Sequence, residues 1–348
     1  MRIETTSEFL SALRQYDLLE PSQWTLFDHQ IKGRFRDLAA LGQEVVRRGW
    51  LTEYQLNMLL QGSNEVIIGN YRVLDWLGEG GVSRVLKALH IPTHNIVALK
   101  LLRPKLQDDV EAMRQFQFEV RVTSKLSHPN IVSAVEADPM NQPYMYALEY
   151  VEGVDLGRYV EENGPLPSPQ ACDYIRQAAR GLQHAYEHGV VHRDIKPANI
   201  LLTAGGDLIK ILDMGLARME WKRKGSYAGT PSDTANIVMG TPDYVAPEQA
   251  TRPKDADIRA DIYSLGCTLH FLLCGQPPFP VRSIAQKLVC HQQAPPPPID
   301  KLCKDAPAGL TAVLQKMMAK APADRYRTPA SVALALGAYC RGSAVISR

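Results

Sequence analysis

The sequence has little that would fix it through cross-links, metals or bulk charge. Its six cysteines, Cys172, Cys267, Cys274, Cys290, Cys303 and Cys340, are irregularly spaced without a Cys-x-x-Cys pair, which argues against a zinc site and a disulfide framework. Thirty-nine Lys and Arg face 37 Asp and Glu, a formal charge of +2, so no excess of one sign is available to hold nucleic acid or a membrane surface. No apolar run reaches the roughly 18 residues that a membrane span needs. The most apolar stretch, residues 262–274, is broken by Ser264, Gly266, Thr268 and His270 and reads as a buried helix. Residues 1–10 carry Glu4 and Glu8 and lack the basic-then-apolar layout of a signal peptide, so the expected location is cytoplasmic.

What is present is ordinary globular material: 45% hydrophobic and 22% charged residues in a chain of 348. That length suits one domain of about 250 residues plus a smaller module. The first segment reads as short helices with their own start signals. Thr5 with Glu8 and Thr52 with Gln55 have capping-box spacing, and Leu51 with Leu56 forms a hydrophobic staple around the second. Leu38, Leu41, Val45 and Val46 mark one helical face, and Gly49 is a stop signal. Residues 1–63 are therefore expected to be a small all-α module. From Ile67 the pattern changes to short strands over 71–77, 84–88 and 96–102. Helices dominate from Ser168, expected as an N-cap with Pro169 at the first helical position, to a stop at His188-Gly189. The prolines at 295–298 read as a stiff surface connection.

Several motifs carry chemistry. Leu77-Gly78-Glu79-Gly80-Gly81-Val82-Ser83-Arg84-Val85 lies between the first two strands, where glycines let backbone N–H groups close over a triphosphate; Ser83 occupies the third position of G-x-G-x-x-G. Val97-Ala98-Leu99-Lys100 sets a lysine among core residues, where it needs an anionic partner. Glu119, on the amphipathic stretch 110–126 with Met113, Phe116 and Val120, is placed to supply one. The strongest element is His192-Arg193-Asp194-Ile195-Lys196-Pro197-Ala198-Asn199, whose six fixed positions should match by chance in fewer than roughly one window in ten million.

That segment resembles the catalytic loop of eukaryotic-type protein kinases, and Lys196 is the form found in their Ser/Thr branch. Ile211-Leu212-Asp213-Met214-Gly215 is similar to the metal-binding motif, with Met214 in place of the usual Phe, and Ala246-Pro247-Glu248 to the end of the activation segment. Motif order and spacing agree over residues 71–338, and the wording around Gly240 and Asp324 is most similar to bacterial Ser/Thr kinases. The resemblance implies an α+β, bilobal protein-kinase fold. It would have a strand-rich N-lobe and hinge over 64–151, a mostly helical C-lobe over 152–342 and a tail over 343–348, preceded by the all-α module.

It also implies roles, with ATP and Mg²⁺ (Mn²⁺ as a substitute) as cofactors. Lys100 would hold the α- and β-phosphates and itself be held by Glu119; Asn199 and Asp213 would bind the metal; Asp194 would accept the substrate proton; Lys196 would sit near the γ-phosphate. The main chain at Glu149 and Val151, after Leu148, would bind adenine between Val85, Ala98 and Leu201. Asp155 is a candidate for the ribose hydroxyls, weighed evenly against a surface charge. Asp261 would brace the catalytic loop and Arg325 pair with Glu248. Arg193 implies activation by a phosphorylated residue among Thr230, Ser232 and Thr234, downstream of Lys222, Arg223 and Lys224, with Thr241 in the substrate-binding turn. The expected function is transfer of the γ-phosphoryl group of ATP to Ser or Thr of protein substrates. Two other readings stay open. Ser83 and Met214 leave room for a pseudokinase scaffold, and Trp24, Phe27, Tyr54 and Leu60 could form a docking surface for a partner instead of the module's own core.

Overall fold

The structure is a computed structural model and describes residues 2–31, 33–35, 37–138, 144–213, 218–219, 242–303 and 306–340. It divides into two compact units, one of Met1–Phe116 with Ala134–Tyr150, the other of Gln117–Ser133 with Val151–Arg348.

The first unit begins with four helices, α1 (Thr6–Gln15), α2 (Pro21–Gln30), α3 (Leu38–Arg47) and α4 (Glu53–Leu60). Both expected capping boxes form: the Thr5 hydroxyl accepts from the Glu8 N–H, and Thr52 does the same for Gln55. Each such cap replaces an orphaned backbone donor and stabilises the helix start by about 1 kcal/mol. Gly49 follows α3 at φ +70°, which a side chain would strain. Phe9, Leu13, Phe27, Leu41, Val45, Leu51, Leu56 and Leu59 are buried in one cluster, with Trp24 and Leu60 packed on it. The aromatics of α2 thus belong to the module's core, with Trp24 edge-on to Phe27 at 5.7 Å.

The strands β1 (Ile67–Ile68), β2 (Tyr71–Glu79), β3 (Ser83–His90), β4 (Asn95–Leu102), β5 (Ala134–Asp138) and β6 (Met145–Glu149) form an antiparallel sheet in the order β1-β2-β3-β4-β6-β5. Alternation sends Val73, Leu86, Ala88, Val97, Leu99, Leu101 and Ala147 into one apolar cluster, on which Tyr54 of α4 packs. The helices and the sheet therefore share one compact unit. The division between units falls within α5 (Val110–Thr123), where Phe116 and Val120 are buried as the amphipathic pattern requires.

The second unit holds β7 (Gly153–Asp155), α6 (Leu156–Asn163), α7 (Ser168–Glu187), β8 (Val190–Val191), β9 (Ile200–Thr203), β10 (Ile209–Ile211), β11 (Arg218–Met219), α8 (Pro247–Thr251), α9 (Ile258–Cys274), α10 (Ile284–Gln293), α11 (Leu310–Met317) and α12 (Pro329–Leu336). Ser168 is the first residue of α7 and Pro167 its cap, so the helix opens one position earlier than its sequence signals suggest; the prolines at 167 and 169 both suit a first turn. Nearly every residue of α9 is buried, the fate of a helix apolar on all sides. With Ile175, Ala178 and Leu182 of α7 it forms the core, each large aliphatic contributing about 1.5–3 kcal/mol on burial. All six cysteines are free thiols. Among the described residues no helix is long and apolar enough to cross a membrane.

Candidate active site

In the second unit the catalytic-loop residues converge by hydrogen bonds. Lys196 Nζ donates to Asp194 Oδ2 at 2.8 Å, and Asn199 Nδ2 donates to the same oxygen at 3.0 Å and to the Asp194 carbonyl at 2.8 Å. With its Nδ2 donors used on Asp194, the Asn199 amide presents Oδ1 for a further ligand. β9 and β10 pair as an antiparallel hairpin with Ile200 opposite Ile211, so Asn199, just before β9, and Asp213, just after β10, lie at one end of it. The Leu212 N–H donates to the Asn199 carbonyl at 2.9 Å and ties the two segments together. Asp213 is exposed and takes φ +51°, and Arg193 takes φ +69°, both left-handed conformations uncommon outside glycine.

The loop is braced from α9. The carboxylate of Asp261, completely buried, accepts from the His192 N–H at 2.8 Å and from the Arg193 N–H at 2.7 Å. Burial pushes the Asp261 pKa up, while the two N–H donors and the Arg193 guanidinium pull it back. His192 Nδ1 accepts from the Asp194 N–H at 3.2 Å, which leaves the ring proton on Nε2 to meet the Leu212 carbonyl at 2.9 Å. One buried imidazole therefore couples the segment of Asp194 to that of Asp213, a function the sequence motif carried without revealing it. The Arg193 guanidinium donates to the carbonyls of Pro253 at 3.3 Å and Ala256 at 2.7 Å. Thr230, Ser232, Thr234, Thr241, Met214 and the basic run 222–224 lie outside the described residues.

Asp155 caps α6, its Oδ1 accepting from the Arg158 N–H at 3.0 Å, a structural use that competes with the surface-charge reading. Leu201 sits in β9 between Asp155 of β7 and Lys210 of β10. Gly153 approaches that sheet so closely that a Cβ there would lie 2.0 Å from the Leu202 carbonyl oxygen.

In the first unit, Val85 pairs with Lys100 and Ala98 with Leu148, so all four side chains share one face of the sheet, the one opposite the apolar cluster. Lys100 is 3% exposed, and Glu119, in the second unit, is 5% exposed; charges so buried require counter-charges. Gly80 to Val82 turn between β2 and β3, with the Gly80 N–H donating to the Ser83 carbonyl at 2.7 Å. Arg103, just past β4, reaches this turn: Nε lies 2.9 Å from Glu79 Oε1, Nη1 lies 3.4 and 3.3 Å from the carbonyls of Gly80 and Gly81, and its N–H donates to Val82 at 3.0 Å. Sequence reasoning passed over Arg103 because an arginine after a strand looks like any surface charge. Leu77 is exposed at the second of two bulges in β2. Glu149 ends β6 and Val151 follows the last residue of that unit.

One carboxylate at Asp213 and one amide oxygen at Asn199 make a hard-oxygen donor set suited to Mg²⁺, which keeps few protein ligands and completes its shell with phosphate and water. Among the described residues no group of three or more His, Cys, Asp or Glu could hold a metal ion by itself.

A probable serine/threonine-protein kinase of Corynebacterium efficiens is 37% identical over 287 residues, covering 80% of this chain and 42% of its own length. PrkC, a serine/threonine-protein kinase of Bacillus subtilis, is 36% identical over 262 residues, covering 75% of this chain and 39% of its own. The chain thus spans about two fifths of the length of these curated relatives. The crystal structure of the PknI kinase domain of Mycobacterium tuberculosis superposes with a TM-score of 0.59 at 29% identity, covering 79% of this chain and 98% of that one. The model of the protein kinase domain matches residues 71–334, and the chain belongs to that family.

Proposed function

We propose that this chain transfers the γ-phosphoryl group of ATP to Ser or Thr hydroxyls of protein substrates. The observation that carries the reading is the convergence of Lys196 and Asn199 on one oxygen of the Asp194 carboxylate, an acid held in place beside a phosphate-seeking cation. Asp194 accepts the proton of the incoming hydroxyl, and Lys196 offsets charge that spreads over the transferred group. Lys100 holds the α- and β-phosphates, with Glu119 assigned as its carboxylate by the family resemblance alone. Asn199 and Asp213 hold Mg²⁺, or Mn²⁺ in its place, which when bound neutralises charge on the phosphate oxygens. Val85, Ala98 and Leu201 enclose adenine, whose edge meets the main chain at Glu149 and Val151. The second carboxylate oxygen of Asp155 serves the ribose. Residues 77–83 close over the triphosphate through their N–H groups.

Activation follows from Arg193, which would exchange its carbonyl partners for a phosphate on Thr230, Ser232 or Thr234, with Thr241 in the substrate turn. The proposed location is cytoplasmic. A protein partner for residues 1–63 would read what Trp24, Tyr54 and Leu60 leave outside the core, since Phe27 is committed to it. Nothing in the described residues favours the alternative of a silent nucleotide-binding scaffold.

Incorporation of phosphate from ATP into a generic basic protein, lost in an Asp194→Asn control, tests the reading; a wild-type chain that binds ATP and transfers nothing overturns it. Phosphopeptide mapping of the active protein tests the regulatory part, which fails if residues 230–234 are unmodified.

A further inference from the structure

The helical module is fastened to the sheet at defined backbone atoms. β2 carries a bulge at Leu74, between Val73 opposite Ala88 and Asp75 opposite Lys87. A bulge leaves ladder groups without strand partners. Here they are met from the N-terminus of α4: Thr52 Oγ1 donates to the Leu74 carbonyl at 2.5 Å, and Gln55 Nε2 to the Val73 carbonyl at 2.7 Å, with Gln55 buried. The same two side chains form the capping box of α4, so the helix start and the bulge are locked by one pair of residues. Further along, Arg72 Nη2 donates to the Asp17 carbonyl at 2.7 Å.

A third attachment falls at the base of the glycine-rich turn. Glu65, in the stretch between α4 and β1, meets Arg84 through two parallel bonds, Nη1 to Oε2 at 2.9 Å and Nη2 to Oε1 at 2.5 Å. Arg84 is opposite Glu79 at the base of the turn and one residue from Ser83. Alternation points Arg84 to the face away from Val85 and Lys100, toward the module. Its side chain is 15% exposed and that of Glu65 36%, so the pair is partly shielded from water. The Glu65 hydrogen bond raises the Arg84 pKa, the largest of several influences. A bidentate arginine–carboxylate pair fixes orientation as well as distance, which a lone lysine contact would not.

We infer that Glu65 is a positioning residue for nucleotide binding: acting through Arg84, it lets the helical module set where the glycine-rich turn sits on the sheet. The inference rests on the kinase reading above for the turn's use, and it gives the module a task inside the catalytic cycle beyond solubility. Glu65 lies on the side of the sheet away from Lys100 and is expected to touch no substrate. Loss of the pair should loosen the turn before ATP arrives and leave the chemical step alone, which appears as a change in KM without one in kcat.

The test uses the full chain. ATP affinity is measured by titration calorimetry with Mg²⁺, and KM and kcat with a basic protein substrate, for wild type, Glu65→Gln, and the reversed pair Glu65→Arg with Arg84→Glu. Glu65→Gln should weaken ATP binding and raise KM for ATP roughly fivefold, the value of one charge-assisted pair, with kcat at saturating ATP within about twofold. The reversed pair should recover most of the loss. Equal ATP affinity in wild type and Glu65→Gln overturns the inference, and so does a reversed pair no better than the single variant. Should Glu65→Gln fail to fold, Glu65→Asp, which keeps the charge on a shorter arm, is measured instead and should show a smaller loss in the same direction. A wild-type chain that binds ATP but transfers no phosphate sinks the kinase reading while the affinity comparison still decides the role of Glu65.

Discussion

Arg325 grips Glu248 through two bonds, Nη1 to Oε1 at 2.6 Å and Nη2 to Oε2 at 2.8 Å, across 77 positions of sequence and with both side chains almost wholly out of water. Its remaining donors go to the carbonyls of Ala319, Arg259 and Lys320, and its plane lies 4.8 Å from the Tyr263 ring. Removing one partner strands the other charge. Arg325→Met is expected to lower unfolding stability by about 3–5 kcal/mol, and adding Glu248→Leu should restore part of it. Denaturant unfolding of the two variants checks this, and equal stability of wild type and Arg325→Met would show the pair to be idle.

Asp194→Asn keeps the hydrogen-bonding shape of the loop and removes its basic carboxylate. Phosphate transfer should fall by about 10²–10⁴, the usual worth of a positioned acid–base group. ATP affinity should stay close to wild type, because Asp194 is assigned to the hydroxyl and not to the nucleotide. A parallel loss of both would mean that Asp194 is needed to form the site itself.

His291 gives the fold a pH limit. It is buried, its Nδ1 lies 2.9 Å from the Tyr263 hydroxyl, and it meets the Phe279 ring edge-on at 4.9 Å. Burial, with a smaller push from the Lys320 ammonium, lowers its pKa from 6.5 to about 4, against a weaker pull from Asp243. Between those values the unfolded chain binds a proton that the folded chain refuses, so stability falls as pH drops from 6.5 toward 4, by at most roughly 3 kcal/mol from this group. His291→Phe should flatten that slope in melting curves taken across the window. An unchanged slope would assign acid sensitivity elsewhere, His270 being the next buried imidazole with a lowered pKa.

Gly153 tests the tightest backbone approach. With only 2.0 Å between a Cβ and the Leu202 oxygen, Gly153→Ala must push β7 off β9. A loss of about 2 kcal/mol or more is expected, a value reserved for substitutions with a structural cause of this kind. Because Leu201 shares that sheet, ATP affinity should fall with it; a stable variant with normal affinity would show that the strands have room to part.

The features legible in sequence were those written in consecutive residues. The capping boxes at Thr5 and Thr52, the strands over 71–77, 84–88 and 96–102, the apolar helix around Leu265 and the loop from His192 to Asn199 each declare themselves within a few positions, through periodicity or a dense motif. Asp261 and Arg325 became legible only by resemblance, since nothing near them in the chain announces a partner. Arg103, Glu65, the bulge at Leu74 and the His291 cluster stayed hidden for the same physical reason: each depends on a contact that folding creates between distant segments, and a lone charge or histidine has no period to betray it. Asp155 illustrates a different limit: the helix cap it forms on the Arg158 N–H is a third use that neither of its two sequence readings named.

Arg193 and Asp213 hold the backbone in a left-handed turn that their side chains resist, each at a cost of about 1 kcal/mol. Glycine would relieve that tension at either place and erase a charge in doing so. A laboratory lineage bred only for heat tolerance, with phosphate transfer left unwatched, should therefore reach glycine at position 213 before position 193, where the guanidinium's bonds to the Pro253 and Ala256 carbonyls offset the strain.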